Sequence, residues 1–82
     1  MGSLESVIEK LLRGSSDQNF DFEDLRRVLK SMGFAERIKG GNHIFSKDGV
    51  VEILNLQPLG SKAKSYQVKQ VRNLIVKYKL AG

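Results

Sequence analysis

The chain of 82 residues has no cysteine, one proline, one histidine and no long apolar run. Without cysteine there are no disulfides and no thiolate metal ligands. A hydrophobic core must therefore hold the fold together, which suits a reducing compartment, and a cytoplasmic location is expected. No apolar stretch approaches the roughly 20 residues needed to span a bilayer. The N-terminus also lacks the basic-then-apolar order of a signal peptide, so a soluble protein without membrane contact is expected. The opening Met1-Gly2-Ser3-Leu4-Glu5-Ser6 matches an acylation pattern, but Gly2-Ser3 is equally what cloning leaves behind. One histidine and no cysteine fall short of the three protein ligands a catalytic zinc usually has, so neither metal nor cofactor is expected.

Charge is abundant and uneven. Residues 1–24 carry Lys10 and Arg13 against Glu5, Glu9, Asp17, Asp21, Glu23 and Asp24, and are net acidic. The remaining Lys and Arg face only Glu36, Asp48 and Glu52, and the whole chain carries a formal charge of +5. A strongly basic body points to a polyanionic partner, of which nucleic acid is the commonest. A chain this short makes one domain with a modest core and a shallow site.

Leu4, Val7, Ile8, Leu11 and Leu12 recur at helical spacing up to Gly14, giving a short amphipathic helix. The polar stretch 14–19 reads as a linker, so residues 1–19 are expected to form an accessory helix and linker and residues 20–82 the functional domain. That leading helix reads either as a structural flap or as an apolar face offered to a partner chain. Asp21 can cap a second helix, with Phe20 and Leu25 as a hydrophobic staple and Phe22, Leu25, Val28, Leu29 and Met32 as its apolar stripe. Gly33 ends it, and Phe34 can pack back on Leu29 in the Schellman manner.

Strands are expected over 34–39, 43–46 and 50–56. Asp48-Gly49 predicts a type I′ hairpin turn. Residues 57–65 hold the only proline and read as a surface connection. A last helix then buries Val68, Val71, Leu74, Ile75 and Tyr78 and leaves Lys69, Arg72, Asn73, Lys77 and Lys79 toward solvent. The expected class is α+β: helix, three-stranded antiparallel meander, helix, both helices covering one sheet face, with an extra N-terminal helix.

His43 stands just after the Gly40-Gly41 turn and just before an apolar run. It can act as general base or acid in RNA cleavage, where the 2′-hydroxyl supplies the nucleophile and the protein needs none of its own. The bland alternative is a sheet-edge histidine bonded to backbone. Periodicity leaves its face open, since either His43 with Phe45 or Ile44 with Ser46 could point inward. Ser61-Lys62-Ala63-Lys64-Ser65 precedes the last helix, whose N-terminus favours a phosphate. Lys62, Lys64, Lys69 and Arg72 extend that surface, and Tyr66 can stack on a base or meet a phosphate. Lys39 and Lys47 flank the histidine strand and can hold a scissile phosphate, each being otherwise an ordinary surface lysine.

The ordered set Asp24-Leu25-Arg26-Arg27-Val28-Leu29-Lys30-Ser31-Met32-Gly33-Phe34, Gly40-Gly41-Asn42-His43-Ile44-Phe45, Asp48-Gly49 and a basic last helix resembles the HicA toxins of bacterial and archaeal toxin–antitoxin modules. The resemblance covers residues 20 to about 80. It implies a double-stranded-RNA-binding-domain-like fold, ribosome-independent mRNA interferase activity and a HicB-type antitoxin that covers the site. It places the family's Gly-Ser-x-His motif on Gly40, Gly41, Asn42 and His43, making His43 catalytic, with Gly41 standing where the family usually has Ser. It adds Gly40 to the RNA-contacting set of Lys39, Lys47, Lys62, Lys64, Lys69 and Arg72. Two other readings compete. Gly60-Ser61-Lys62-Ala63-Lys64-Ser65 looks like the lysine-bearing start of the last helix in non-catalytic double-stranded-RNA-binding domains. Alternatively, the basic face docks an acidic protein.

Overall fold

The chain folds around one hydrophobic core. The computed structural model describes residues 3–81; Met1 and Gly2, on which the acylation pattern rests, lie outside the described residues, as does Gly82. Helix α1 spans Leu4–Arg13, capped by Ser3, whose hydroxyl accepts from the Ser6 N–H at 3.2 Å, and closed by Gly14 at φ +75°. Expected as an accessory, α1 buries Val7 and Leu11 in the same core as the rest of the chain. A single 3-10 turn, Asp17–Asn19, leads on to α2, Phe22–Ser31.

Asp21 stands at the N-cap of α2, but its carboxylate makes no cap bond and takes Lys62 Nζ at 2.7 Å instead. Phe20 and Leu25, the staple pair, are both buried. At the other end the Phe34 N–H donates to the Leu29 carbonyl and the Gly33 N–H to the Lys30 carbonyl, both at 3.1 Å. With Gly33 at φ +93°, that is a Schellman motif. It occupies Phe34, so strand β1 begins one residue later than expected, at Ala35, and runs to Lys39.

β1 pairs antiparallel with β2, Asn42–Lys47, which pairs antiparallel with β3, Val50–Leu56. Gly40 alone has positive φ in the first hairpin turn. The second turn departs from the expected type I′: Gly49 has φ +88°, but Asp48 does not have positive φ. A bulge between Phe45 and Lys47 beside this turn changes the pairing that a regular two-residue hairpin would impose.

The connection after β3 holds a second, two-stranded ribbon, β4 (Pro58–Leu59) and β5 (Lys62–Ala63), where a plain surface loop was expected. The Ala63 N–H on the Phe20 carbonyl at 2.8 Å, and the Phe22 N–H on the Ser61 carbonyl at 3.0 Å, pin this ribbon to the start of α2. Helix α3, Ser65–Lys77, closes the chain. Phe45, Leu54 and Leu56 on one sheet face are fully buried with the stripes of α2 and α3, and each such large side chain contributes about 1.5–3 kcal/mol of burial. The opposite face stays open, with Val51 88% and Ile53 65% exposed. Among the described residues, no helix is long and apolar enough to cross a membrane.

Candidate functional site

Two-residue turn geometry decides what surrounds the histidine. Because Lys39 pairs with Asn42, Ile38 falls opposite His43 and Glu36 opposite Phe45. Opposed residues share a sheet face, and Phe45 is fully buried, so His43 and Glu36 belong to the helix-covered face. His43 sits at the border of that face, with 15% of its side chain exposed.

Helix α2 supplies the remaining walls. Phe22, in its first turn, meets the imidazole edge-on with ring centres 4.9 Å apart. Arg26, one turn further, donates from Nε and Nη2 to the two Glu36 oxygens at 2.6 and 2.7 Å, while its Nη1 reaches Glu23 at 2.8 Å. Lys30, another turn on, places Nζ 3.6 Å from Glu36. The Arg26 fork holds the Glu36 carboxyl down to about 2 against the opposing effect of burial, and the His43 hydrogen bond and Lys30 add to the lowering. The Glu36 bonds, and then those to Glu23, raise Arg26 above its usual value.

An ionised carboxylate only accepts hydrogen bonds. The 2.8 Å contact between Glu36 Oε2 and His43 Nδ1 therefore carries the proton on Nδ1. The neutral ring then has a lone pair on Nε2. That atom has no protein hydrogen-bond partner among the described residues and is not among buried unsatisfied atoms, so it reaches solvent. A histidine held in one tautomer by a carboxylate, with its other nitrogen open, is built to take a proton from something that approaches it.

The expected cations divide by position. Lys39 is exposed at the hairpin turn beside Gly40. Lys64 Nζ donates to Gln57 Oε1 at 3.2 Å, and Gln57 Nε2 donates to Asn42 Oδ1 at 2.6 Å, next to His43. Lys62 Nζ pairs with Asp21, the residue before Phe22. Lys69 lies further along α3, sharing a depression with Ser65, Gln18 and Asp17. Lys47 is elsewhere: it sits at the far end of β2, where its Nζ closes over Gly33.

Arg72, expected in solvent, is 19% exposed at its side chain. It donates to Asp17 Oδ1 at 2.8 Å and to the Leu11 carbonyl at 3.3 Å, which commits it to holding α1 against α3. It is removed from the RNA-contacting set. Glu36, Arg26, Lys30 and Phe22 were not expected at the site. The i, i+4 spacing of Phe22, Arg26 and Lys30, and the two-residue register that puts Glu36 on the face of His43, are the signals that carried them. Among the described residues, no group of three His, Asp or Glu side chains is arranged to hold a metal ion. Comparison of the chain with protein-family models, with curated proteins and with solved structures finds no match.

Proposed function

We propose that this protein is a HicA-like toxin of a type II toxin–antitoxin module, a metal-independent endoribonuclease with a double-stranded-RNA-binding-domain-like fold and His43 as its proton-transfer group. One observation carries the reading: His43 Nδ1 is fixed on Glu36, whose carboxylate also has Lys30 Nζ at 3.6 Å, while Nε2 opens to solvent. In this mechanism Nε2 takes the proton of a ribose 2′-hydroxyl and O2′ forms a bond to the adjacent phosphorus. The bond from phosphorus to the 5′-oxygen breaks, leaving a 2′,3′-cyclic phosphate. The departing oxygen is protonated by the imidazolium, water, a lysine or Tyr66. The Glu36 carboxylate stabilises the imidazolium formed in the first step, and the lysines neutralise phosphate charge. Such proton transfer is worth about 10² to 10⁴ in rate. The reading implies a HicB-type antitoxin that covers this corner.

The second reading is a non-catalytic RNA-binding module, favoured by Lys62 and Lys64 at the start of α3. Incubating a long labelled single-stranded RNA with the native chain and with His43→Ala, each with and without EDTA, separates the two. The nuclease reading expects cleavage that persists in EDTA and vanishes in the variant. Binding by both proteins with cleavage by neither sinks it in favour of the second.

A further inference from the structure

The β4–β5 ribbon and the first turn of α3 enclose a groove of about 520 Å³. Its walls carry Leu59, 69% exposed, and the ring of Tyr66, 62% exposed. Lys62 and Lys64 stand along it, and Ser65 and Gln18 bring polar side chains to it. An aliphatic wall and an aromatic wall that both remain solvent-exposed suit a flat, apolar-faced guest. Two lysines beside them suit a guest that is attached to anionic charge.

Side-chain bonds run from the groove to the residues that precede His43 and Phe22 in the chain. Lys64 on its wall bonds Gln57, and Gln57 bonds Asn42, the residue before His43. On the other side Lys62 pairs with Asp21, which precedes the Phe22 ring packed on the imidazole. Both pairings involve exposed side chains, so exchanging them for phosphate costs little.

We propose that this groove is a nucleobase subsite: it takes an unpaired base of the RNA, stacked on Tyr66 against Leu59, while Lys62 and Lys64 hold the flanking phosphates and lead the strand to His43. The inference rests on the RNA-cleaving reading above. Stacking needs the face of a base, and in a duplex both faces are covered by neighbouring base pairs. The subsite therefore selects single-stranded RNA over duplex RNA. A lysine clamp working on phosphates alone makes no such choice.

The test uses the full chain carrying His43→Ala, so that binding is read without cleavage. Anisotropy of a short labelled oligouridylate is compared with the same strand annealed to its complement and with a strand in which an internal base is abasic. Single-stranded RNA is expected to bind more tightly than both. Adding Tyr66→Ala is expected to weaken single-strand binding about tenfold with little change in salt slope, while Tyr66→Phe restores it. Adding Lys64→Ala is expected instead to reduce the salt slope by about one. Equal affinity for duplex and single strand, or no effect of Tyr66→Ala, overturns the subsite even if the native chain cleaves RNA. Tyr66-dependent single-strand binding supports it even if the native chain proves inactive. Absence of any RNA binding overturns both readings.

Discussion

Two half-buried arginine–carboxylate pairs hold this small domain together, and they end differently. Arg72 and Asp17 join α3 to the segment after α1, and the guanidinium's remaining contact is the Leu11 carbonyl. Gly14 lies against this guanidinium: a Cβ there would stand 3.1 Å from Arg72 Nη1. Arg26 and Glu36 join α2 to β1 with similar burial, but their network continues to His43 and stops at a nitrogen facing water. Both pairs stabilise; only one orients a titratable group. Pairing by itself is common to both; the Glu36 carboxylate differs in taking an imidazole as its third hydrogen-bond donor, and the proposed function rests on that difference.

The largest expected effect breaks the pair that orients. Three donors, Arg26 Nε and Nη2 and His43 Nδ1, converge on the two Glu36 oxygens. Glu36→Gln offers one oxygen in their place, and the Nδ1 proton loses its acceptor. RNA cleavage per folded molecule is expected to fall on the order of 100-fold, read by single-turnover kinetics beside the urea midpoint of each protein. The variant should also alter acid stability. Glu36 titrates near 2 when folded against an ordinary 4.5, so its contribution is complete above pH 4.5 and is lost as the pH falls toward 2. Glu52, held near 2 by Lys77 and then by the Tyr78 hydroxyl, fades across the same window. The urea midpoint of Glu36→Gln should therefore fall less between pH 6 and pH 2 than that of the native chain, with Glu52→Gln removing a separate share. Parallel curves for native chain and Glu36→Gln would contradict the assignment.

Breaking the other pair gives the opposite profile. Asp17→Asn leaves the Arg72 guanidinium, 19% exposed, with only neutral acceptors, an amide oxygen at position 17 and the Leu11 carbonyl. A loss of about 2–3 kcal/mol in chemical denaturation is expected, because an uncompensated charge remains partly buried. Cleavage per folded molecule should stay at the native level, since Arg72 touches nothing at the His43 corner. A variant that keeps its stability but loses RNA cleavage would reverse the roles assigned to the two pairs.

How much of this was legible in sequence follows the range of each interaction. The second helix with its staple and Schellman end was readable, because Phe20, Leu25, Leu29, Gly33 and Phe34 act over a few residues. The third strand was read to the residue. Arg72 was misplaced because its partner Asp17 lies 55 positions away, and a helical repeat cannot report a long-range pair. The face of His43 stayed undecided since Ile44 and Phe45 are both apolar. The Gly40-Gly41 register decides it, and it puts Glu36 beside the histidine. Asp48-Gly49 carried the composition of a type I′ turn, but the neighbouring bulge set another backbone path. Lys47 was grouped with His43 by strand membership, although a strand of six residues puts its two ends at opposite edges of the domain.

The smallest expected effects come from two adjacent glycines that look equivalent in sequence and are not. Gly40 has φ +61°, which an L side chain adopts only under strain, so Gly40→Ala should cost about 1 kcal/mol even though its Cβ would meet no atom within 4 Å. Gly41 has neither restriction: its φ is not positive, and a Cβ there also meets nothing within 4 Å. Gly41→Ser should therefore change the urea midpoint little, while placing a hydroxyl two residues from His43. If the corner binds a scissile phosphate, that hydroxyl adds a hydrogen-bond donor to it, and cleavage is expected to rise a few-fold. The rise should vanish in His43→Ala, because a donor that positions a phosphate has no effect where nothing takes the proton. A Gly41→Ser protein that is as stable as the native chain and cleaves RNA no faster would mean that the phosphate lies away from the turn. The Lys62 and Lys64 side of the histidine would then be its more direct support.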